Sequence, residues 1–261
     1  MFGALSFYIF SPSFGIDLTG GQILEVKTKA NVYKIINKLS LKALIYPQKD
    51  GFLLKSSQDL SLAWQEILKE DPSSKKIRFE SISGNLSSEL RKRSLWMIII
   101  ILFAIGFYVA LAFYKLKREF SLFVLGFVVI VTLLHDVLAT TGFYVLISKF
   151  LGFDLDIKFI TALLIIVGFS VHDTIVVFDR LRENILISGK KDKQIFNDSI
   201  NQTIRRSVFT SLTAVLSVFP LTFLISDLKA FLLSIQIGII IGTYSSIFLA
   251  SPLLFDLKED K

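Results

Sequence analysis

Hydrophobic residues fall in long uninterrupted blocks over most of this chain, and polar residues interleave with them in one region only. LWMIIIILFAIGFYVALAFY (95–114) runs for twenty residues without a charge. At about 1.5 Å of rise per residue, such a helix crosses the roughly 30 Å hydrocarbon core of a bilayer. Four further blocks follow at about 119–147, 159–178, 207–225 and 230–255. The pattern predicts a polytopic α-helical membrane protein, with a five-helix membrane domain over 94–256 and a short tail at 257–261.

Residues 15–93 carry the interleaved pattern. It predicts a strand over 21–28, a helix over 31–40, and a hairpin across ALIYPQKDGFLLKSS with Lys49-Asp50-Gly51 at its turn. A helix over 59–70 and a strand over 76–82 complete the region. The order β-α-β-β-α-β is that of a small ferredoxin-like α/β domain. Ahead of it, MFGALSFYIF offers about ten apolar residues, roughly 15 Å of helix, too short to span. Residues 1–14 therefore read as the remnant of a first membrane helix, from a shortened chain or a misplaced start codon, with a re-entrant segment as the alternative. It lacks the basic start of a signal peptide.

Composition sharpens this picture at two points. The net charge of +7 sits unevenly: KLKRE (115–119) carries three basic residues, and 179–206 carries seven, including Arg180, Arg182, Arg205 and Arg206. The alternate links hold only Lys149, Lys158 and Lys229. By the positive-inside rule the basic links and the tail are expected in the cytoplasm and domain 15–93 outside. The basicity then reports orientation, not nucleic-acid binding. The absence of cysteine excludes disulfides, thiolate metal sites and a cysteine nucleophile.

The candidate chemistry lies inside the blocks. Both histidines precede an aspartate: His135-Asp136 in TLLHDVLAT and His172-Asp173 in FSVHDTIVV. A charged aspartate at a helix centre costs about 2.5–3.5 kcal/mol on insertion scales, so such residues mark ion or proton paths by default. Each could instead be a protonated, hydrogen-bonded element of helix packing. A metal site is disfavoured, because neighbours on a helix point about 100° apart. Neutral imidazole beside a carboxyl suits a proton relay better.

Arg205 and Arg206 open the fifth block. They read either as positive-inside anchors or, for Arg206, as a mobile counter-ion to Asp173 whose approach favours the ionised carboxyl. Asp179 and Arg182 read as border residues fixing helix depth. Gly238 and Gly242 stand in GxxxG spacing, followed by Thr243, Ser245 and Ser246, a pattern for close helix packing. Pro220 is expected to kink its helix, and Gln236 needs a polar partner. No nucleotide loop, HExxH motif or nucleophile elbow is present, which argues against an enzyme. A working membrane protein of this kind can draw on the membrane potential, about 2.3 kcal/mol per charge per 100 mV.

Several segments together resemble one family, SecF of the SecD/SecF complex of bacterial protein export. FGIDLTGG (14–21) is similar to that family's entry into its external domain, placing Gly15, Asp17, Gly20 and Gly21 in the motif. LLHDV (133–137) resembles the third-helix motif and GFSVHDTIVVFDRLREN (168–184) the fourth-helix signature. TIRRSVFTSLTA (203–214) and GTYSSIFLASPLL (242–254) resemble the last two helices. His172 departs from the pattern, which commonly has asparagine there, and of the exit motif only the ending of SISGNLSSELRKR is clear.

The resemblance implies an RND-type fold of six membrane helices, the first incomplete here, with an external ferredoxin-like domain. It implies no cofactor or metal, and as partners a SecD-like subunit, the SecYEG channel, exported polypeptides and the lipid bilayer of the bacterial inner membrane. The family's proton-linked aspartate falls on Asp173 and its essential arginine on Arg206. Asp136, His135 and His172 would supply a supporting polar path. A small-molecule exporter of the RND type and a passive membrane scaffold are the alternatives.

Overall fold

The computed structural model describes residues 13–48, 51–114, 120–190 and 192–257. Residues 1–12 of the expected first-helix remnant, two of the three turn residues at 49–51, the basic link KLKRE and all but the first residue of the tail lie outside them. The described chain forms two compact units, one of residues 13–95 with 154–157, the other of 96–153 with 158–257.

The first unit is the α/β one. A single-turn helix α1 (Ile16–Thr19) leads into β1 (Gly21–Lys27), α2 (Val32–Lys38), β2 (Ala43–Gln48), β3 (Gly51–Ser56), α3 (Ser61–Glu70) and β4 (Lys75–Ile82). The four strands form one antiparallel sheet in the order β2-β3-β1-β4, the ferredoxin-like arrangement. Alternation decides which face is covered. Leu24 and Val26 of β1 and Leu54 of β3 are buried in one cluster with Val32, Ile35 and Ile36 of α2 and Leu60, Ala63 and Ile67 around α3. The α2 start is capped by Asn31, whose side chain accepts from the Lys34 N–H at 3.1 Å.

Two glycines of the entry segment are required by shape. Gly20 and Gly21 have φ of 78° and 131°, in the region side chains avoid. A Cβ on Gly21 would lie 2.5 Å from the Ser56 carbonyl oxygen, and one on Gly20 would lie 2.9 Å from Gly84 Cα. Residues 154–157, which the hydropathy pattern leaves in the membrane domain, pair instead with the entry segment. The Gly15 N–H donates to the Leu155 carbonyl at 2.8 Å, and the Leu155 N–H to that of Ser13 at 2.9 Å. Lys55 forms an ion pair with Asp154 beside them.

The second unit is built from five helical segments long and apolar enough to cross a membrane. They are α4 (Gly84–Ala112), which begins in the first unit, α5 (Leu122–Leu151), α6 (Ile157–Ser188), α7 (Lys193–Leu224), and a rod over Ser226–Asp256. That rod consists of a 3-10 turn (Ser226–Leu228), α8 (Lys229–Ser245), a π-helical turn (Ser246–Ala250) and α9 (Ser251–Asp256). The π turn ends two residues before Pro252, which has no N–H to continue the i→i−4 ladder.

One expectation is corrected here. The described residues of 179–206, read as a hydrophilic link, are mostly helical: α6 runs on to Ser188 and α7 starts at Lys193. Asp192 caps α7 by accepting from the Ile195 N–H at 3.0 Å. The charges face outward, while Leu181, Ile185 and Phe196 stay buried. Asn184 of α6 donates to Ser199 and Gln202 of α7 at 2.8 and 3.0 Å. A charge-counting window ends a helix where it leaves the hydrocarbon, but backbone hydrogen bonding does not stop there.

A buried carboxyl and hydroxyl cluster in the membrane helices

Asp173 lies on α6 and is almost wholly buried. Its Oδ2 accepts from Thr243 Oγ1 of α8 at 3.1 Å and from Ser211 Oγ of α7 at 3.4 Å, and those two hydroxyls are hydrogen-bonded to each other. One carboxyl oxygen thus joins three helices. Ser207, one turn before Ser211, is buried next to the same carboxyl, and its hydroxyl has no hydrogen-bond partner among the described residues.

Asp136 on α5 is fully buried, one turn of α6 away. Ser170 of α6 donates to its Oδ2, and the ring of His135 reaches back along α5 to Oδ1, Nδ1 to oxygen 3.1 Å. The imidazole itself is 42% exposed, so this pair links a buried carboxyl to the outside of the unit. Ser246 hydrogen-bonds Thr174 Oγ1 at 2.9 Å and donates to the Ser170 carbonyl at 3.2 Å, tying the π turn to α6. Ser170, Asp173 and Thr174 share one face of α6 because they stand three and four positions apart.

Close packing makes these contacts. A Cβ on Gly238 would lie 2.2 Å from Ile166 Cδ1, and one on Gly242 would lie 2.9 Å from Ser170 Cβ, so α8 rests directly on α6 along the GxxxG face. Ser245 donates back to the Gly242 carbonyl at 3.0 Å. Gln236 finds its partner in Thr222 of α7, at 2.6 Å.

The remaining candidates lie elsewhere. Arg206 is exposed and forms no ion pair with a carboxylate among the described residues; hydroxyls occupy the place beside Asp173 that the counter-ion reading gave it. The reason is helical phase: Ser207 and Ser211 face inward, and Arg206 points about 100° away from its neighbour. His172 is exposed on the opposite side of α6 from the cluster. Asp179 and Arg182 pair with each other at 2.9 Å near the end of α6. Gly15, Asp17, Gly20 and Gly21 all belong to the α/β unit. Among the described residues no three His, Asp or Glu side chains gather as a metal site would need.

The comparison with known proteins decides the family. The model of the C-terminal region of the protein export membrane proteins SecD and SecF matches residues 64–260. The chain belongs to the SecD/SecF family. Among its relatives, the protein translocase subunit SecF of Sebaldella termitidis is 34% identical over 98% of this chain and 86% of its own length. SecF of Thermobaculum terrenum is 44% identical over 67% of this chain, a match that spans 55% of that protein.

The crystal structure of SecDF from Thermus thermophilus, a translocon-associated membrane protein, superposes with a TM-score of 0.80 at 30% identity. It covers 97% of this chain and 36% of the longer one. SecDF in its super-membrane-facing form gives 0.68 with the same coverage. The SecF-type fold is therefore that of an RND-like, multi-pass membrane protein with a small antiparallel sheet unit. Within the family match lie Asp136, Asp173, Ser211 and Thr243 alike. Sequence reasoning named the two aspartates and gave Thr243 a packing role only, and it missed Ser170 and Ser211.

Proposed function

We propose that this chain is an accessory subunit of the Sec protein-export machinery that couples the proton motive force to translocation. It works with a SecD-like partner beside a SecYEG channel on exported polypeptides, in the bacterial inner membrane. Residues 15–93 lie on the outer side and the C-terminus in the cytoplasm, the orientation that the seven basic residues of 179–206 support. The observation that carries the coupling is the placement of Asp173. It is an ionisable group 2% exposed among apolar membrane helices, held by hydroxyls of two other helices. A proton arriving at that carboxyl changes the charge at a three-helix junction, which is where a change in charge can move helices.

Asp173 is the carrier in this reading. Asp136 with His135 forms a second polar path, and Arg206 is a counter-charge that approaches in another state of the cycle. The test uses the chain with its SecD-like partner and the channel in proteoliposomes, with an exported polypeptide and an imposed proton gradient. Asp173→Asn is expected to insert and bind its partner, yet to lose the stimulation of translocation by the gradient. Full stimulation in that variant would remove Asp173 as carrier, and failure of a SecD-like chain to co-purify would remove the hetero-complex.

A further inference from the structure

Every exposed hydroxyl along the middle of α7 follows one rule. Thr210, Thr213 and Ser217 each donate to the carbonyl four residues earlier, at 2.9, 2.7 and 2.8 Å. This is what a lone serine or threonine does in an apolar helix, since no other acceptor is near. Ser211 and Thr243 have the same option, and their oxygens lie 2.9 Å from the carbonyls of Ser207 and Ile239. They differ in having a second acceptor, the shared Asp173 Oδ2.

We propose that Ser211 and Thr243 are positioning residues that hold Asp173 in both of its protonation states by reversing their hydrogen bonds. The inference rests on the reading of Asp173 as proton carrier. A hydroxyl has one proton to donate and can accept in turn. With Asp173 ionised, Thr243 and Ser211 turn their protons to the carboxylate. With Asp173 protonated, its own O–H donates to Thr243 Oγ1. Thr243 then donates to the Ile239 carbonyl, and Ser211 donates to Thr243 Oγ1 or to the Ser207 carbonyl. Every donor is used in each state, and the exchange needs O–H rotation only. The Ser207 hydroxyl, buried beside the carboxyl and outside hydrogen-bond geometry with any described residue, stands as a further donor for the ionised form.

The surroundings make this exchange matter. Ser211 and Thr243 line a cleft of about 350 Å³ whose other walls are apolar, Val208, Val215, Ile240 and Tyr244 among them. Hydrocarbon or an apolar helix in that cleft cannot solvate a carboxylate, so the hydroxyls must. Among the described residues no other charged group takes their place. His172 on α6 and Arg206 on α7 are exposed, Asp136 on α5 is occupied by Ser170 and His135, and the only charged residue of α8 is Lys229 at its first position.

The test uses the intact chain with its SecD-like partner in lipid, and two readouts. One is gradient-driven translocation. The other is the infrared C=O stretch of the protonated carboxyl, assigned to Asp173 by its loss in Asp173→Asn. Thr243→Val keeps the shape and removes the hydroxyl. It is expected to lower the gradient-driven rate roughly tenfold, the scale of one hydrogen bond to a charged group, and to move the band to higher wavenumber. Thr243→Ser restores both, and Ser211→Ala moves both in the same direction as Thr243→Val.

A rate loss with an unmoved band marks a packing role and overturns the assignment, as does an unchanged rate with an unmoved band. The separate case, in which Asp173→Asn itself keeps its gradient dependence, removes the carrier reading and is recognised before the hydroxyl variants are made.

Discussion

Gly242 of α8 stands so close to Ser170 of α6 that a methyl group on the glycine would lie 2.9 Å from the Ser170 Cβ. The same Ser170 donates through its hydroxyl to the buried carboxyl of Asp136. The residue after Gly242 is Thr243, which donates to Asp173. A single backbone approach thus sets the distances at both carboxyls.

Gly242→Ala is expected to destabilise the helix bundle. Filling a contact below 3 Å costs about 1–3 kcal/mol, more than the roughly 1 kcal/mol that alanine contributes to an exposed helix. Gly238→Ala, against Ile166, acts in the same direction. Gly168 of α6 provides the control, because nothing lies within 4 Å of its Cβ position. Gly168→Ala is expected to raise the thermal midpoint in lipid or detergent while the other two lower it. Equal effects at all three positions would show that helix propensity, not the approach of α8, dominates.

How far all this could be read from the sequence depends on the kind of signal. Leu24, Val26 and Leu54 were legible because strand alternation with period 2 separates a covered face from an open one. The membrane helices were legible because a charge-free block of twenty residues has few other uses. The extents of α6 and α7 were not, since Arg180, Arg182 and Lys193 look like loop residues by charge alone, and the helices carry them past the apolar spans. Asp136 and Asp173 stood out because an acid in a greasy block is rare. Ser170 and Ser211 did not, and Thr243 was read for packing only, because serine and threonine are common in such helices and composition does not say which way they face. Their spacing held a usable clue: Ser207 and Ser211 share one face of α7, opposite the exposed Phe209 and Leu212.

Acid should weaken the α/β unit through two carboxylates. Glu66 is pulled down to about 2 by hydrogen bonds and charge from Lys38 and Lys69. Asp71 is lowered by the Ser73 hydroxyl and then by the Lys29 N–H, and it also accepts from Thr28, fastening the loop before α2 to the loop before β4. A carboxyl whose folded value is depressed stabilises the fold above its unfolded value near 4, and that contribution is lost as pH falls through the folded value. Hydrogen-exchange protection of β1 and β4 is therefore expected to fall between about pH 4 and pH 2. Asp71→Asn should flatten that fall, since asparagine keeps part of the hydrogen bonding and does not titrate. A fall as steep in the variant as in the parent would show that Asp71 is not among the groups responsible.

Lys55 and Asp154 are 18% and 15% exposed, so their ion pair is neither a solvated surface pair nor a dry one. It holds the segment at 154–157 to β3, beside the backbone bonds that Leu155 makes with Ser13 and Gly15. Removing either partner takes this ion pair from a half-buried charge, with an expected cost of about 1–3 kcal/mol, between the exposed and buried limits. Lys55→Met with Asp154→Leu should cost less than the sum of the two single changes, because the second change then removes a charge that has already lost this partner. A double-mutant cycle on thermal unfolding measures the coupling, and strict additivity would show that the pair contributes nothing.

Asp136 offers the sharpest separation of packing from proton handling. Its carboxyl accepts from Ser170 and meets His135, whose ring is 42% exposed while the carboxyl is not exposed at all. Asp136→Asn keeps an acceptor for Ser170 and removes the titrating group, so the fold should be retained within about 1 kcal/mol. Asp136→Leu leaves the Ser170 hydroxyl without its acceptor and should cost about 1–3 kcal/mol. If Asp136 serves only packing, Asn and Asp will support gradient-driven translocation equally. If it passes protons, Asn will lower that rate at unchanged stability, and His135→Gln will lower it too, because the imidazole is the exposed end of the pair. The outcome that sinks a proton role is wild-type translocation in both Asp136→Asn and His135→Gln, measured in the same proteoliposomes as the parent chain.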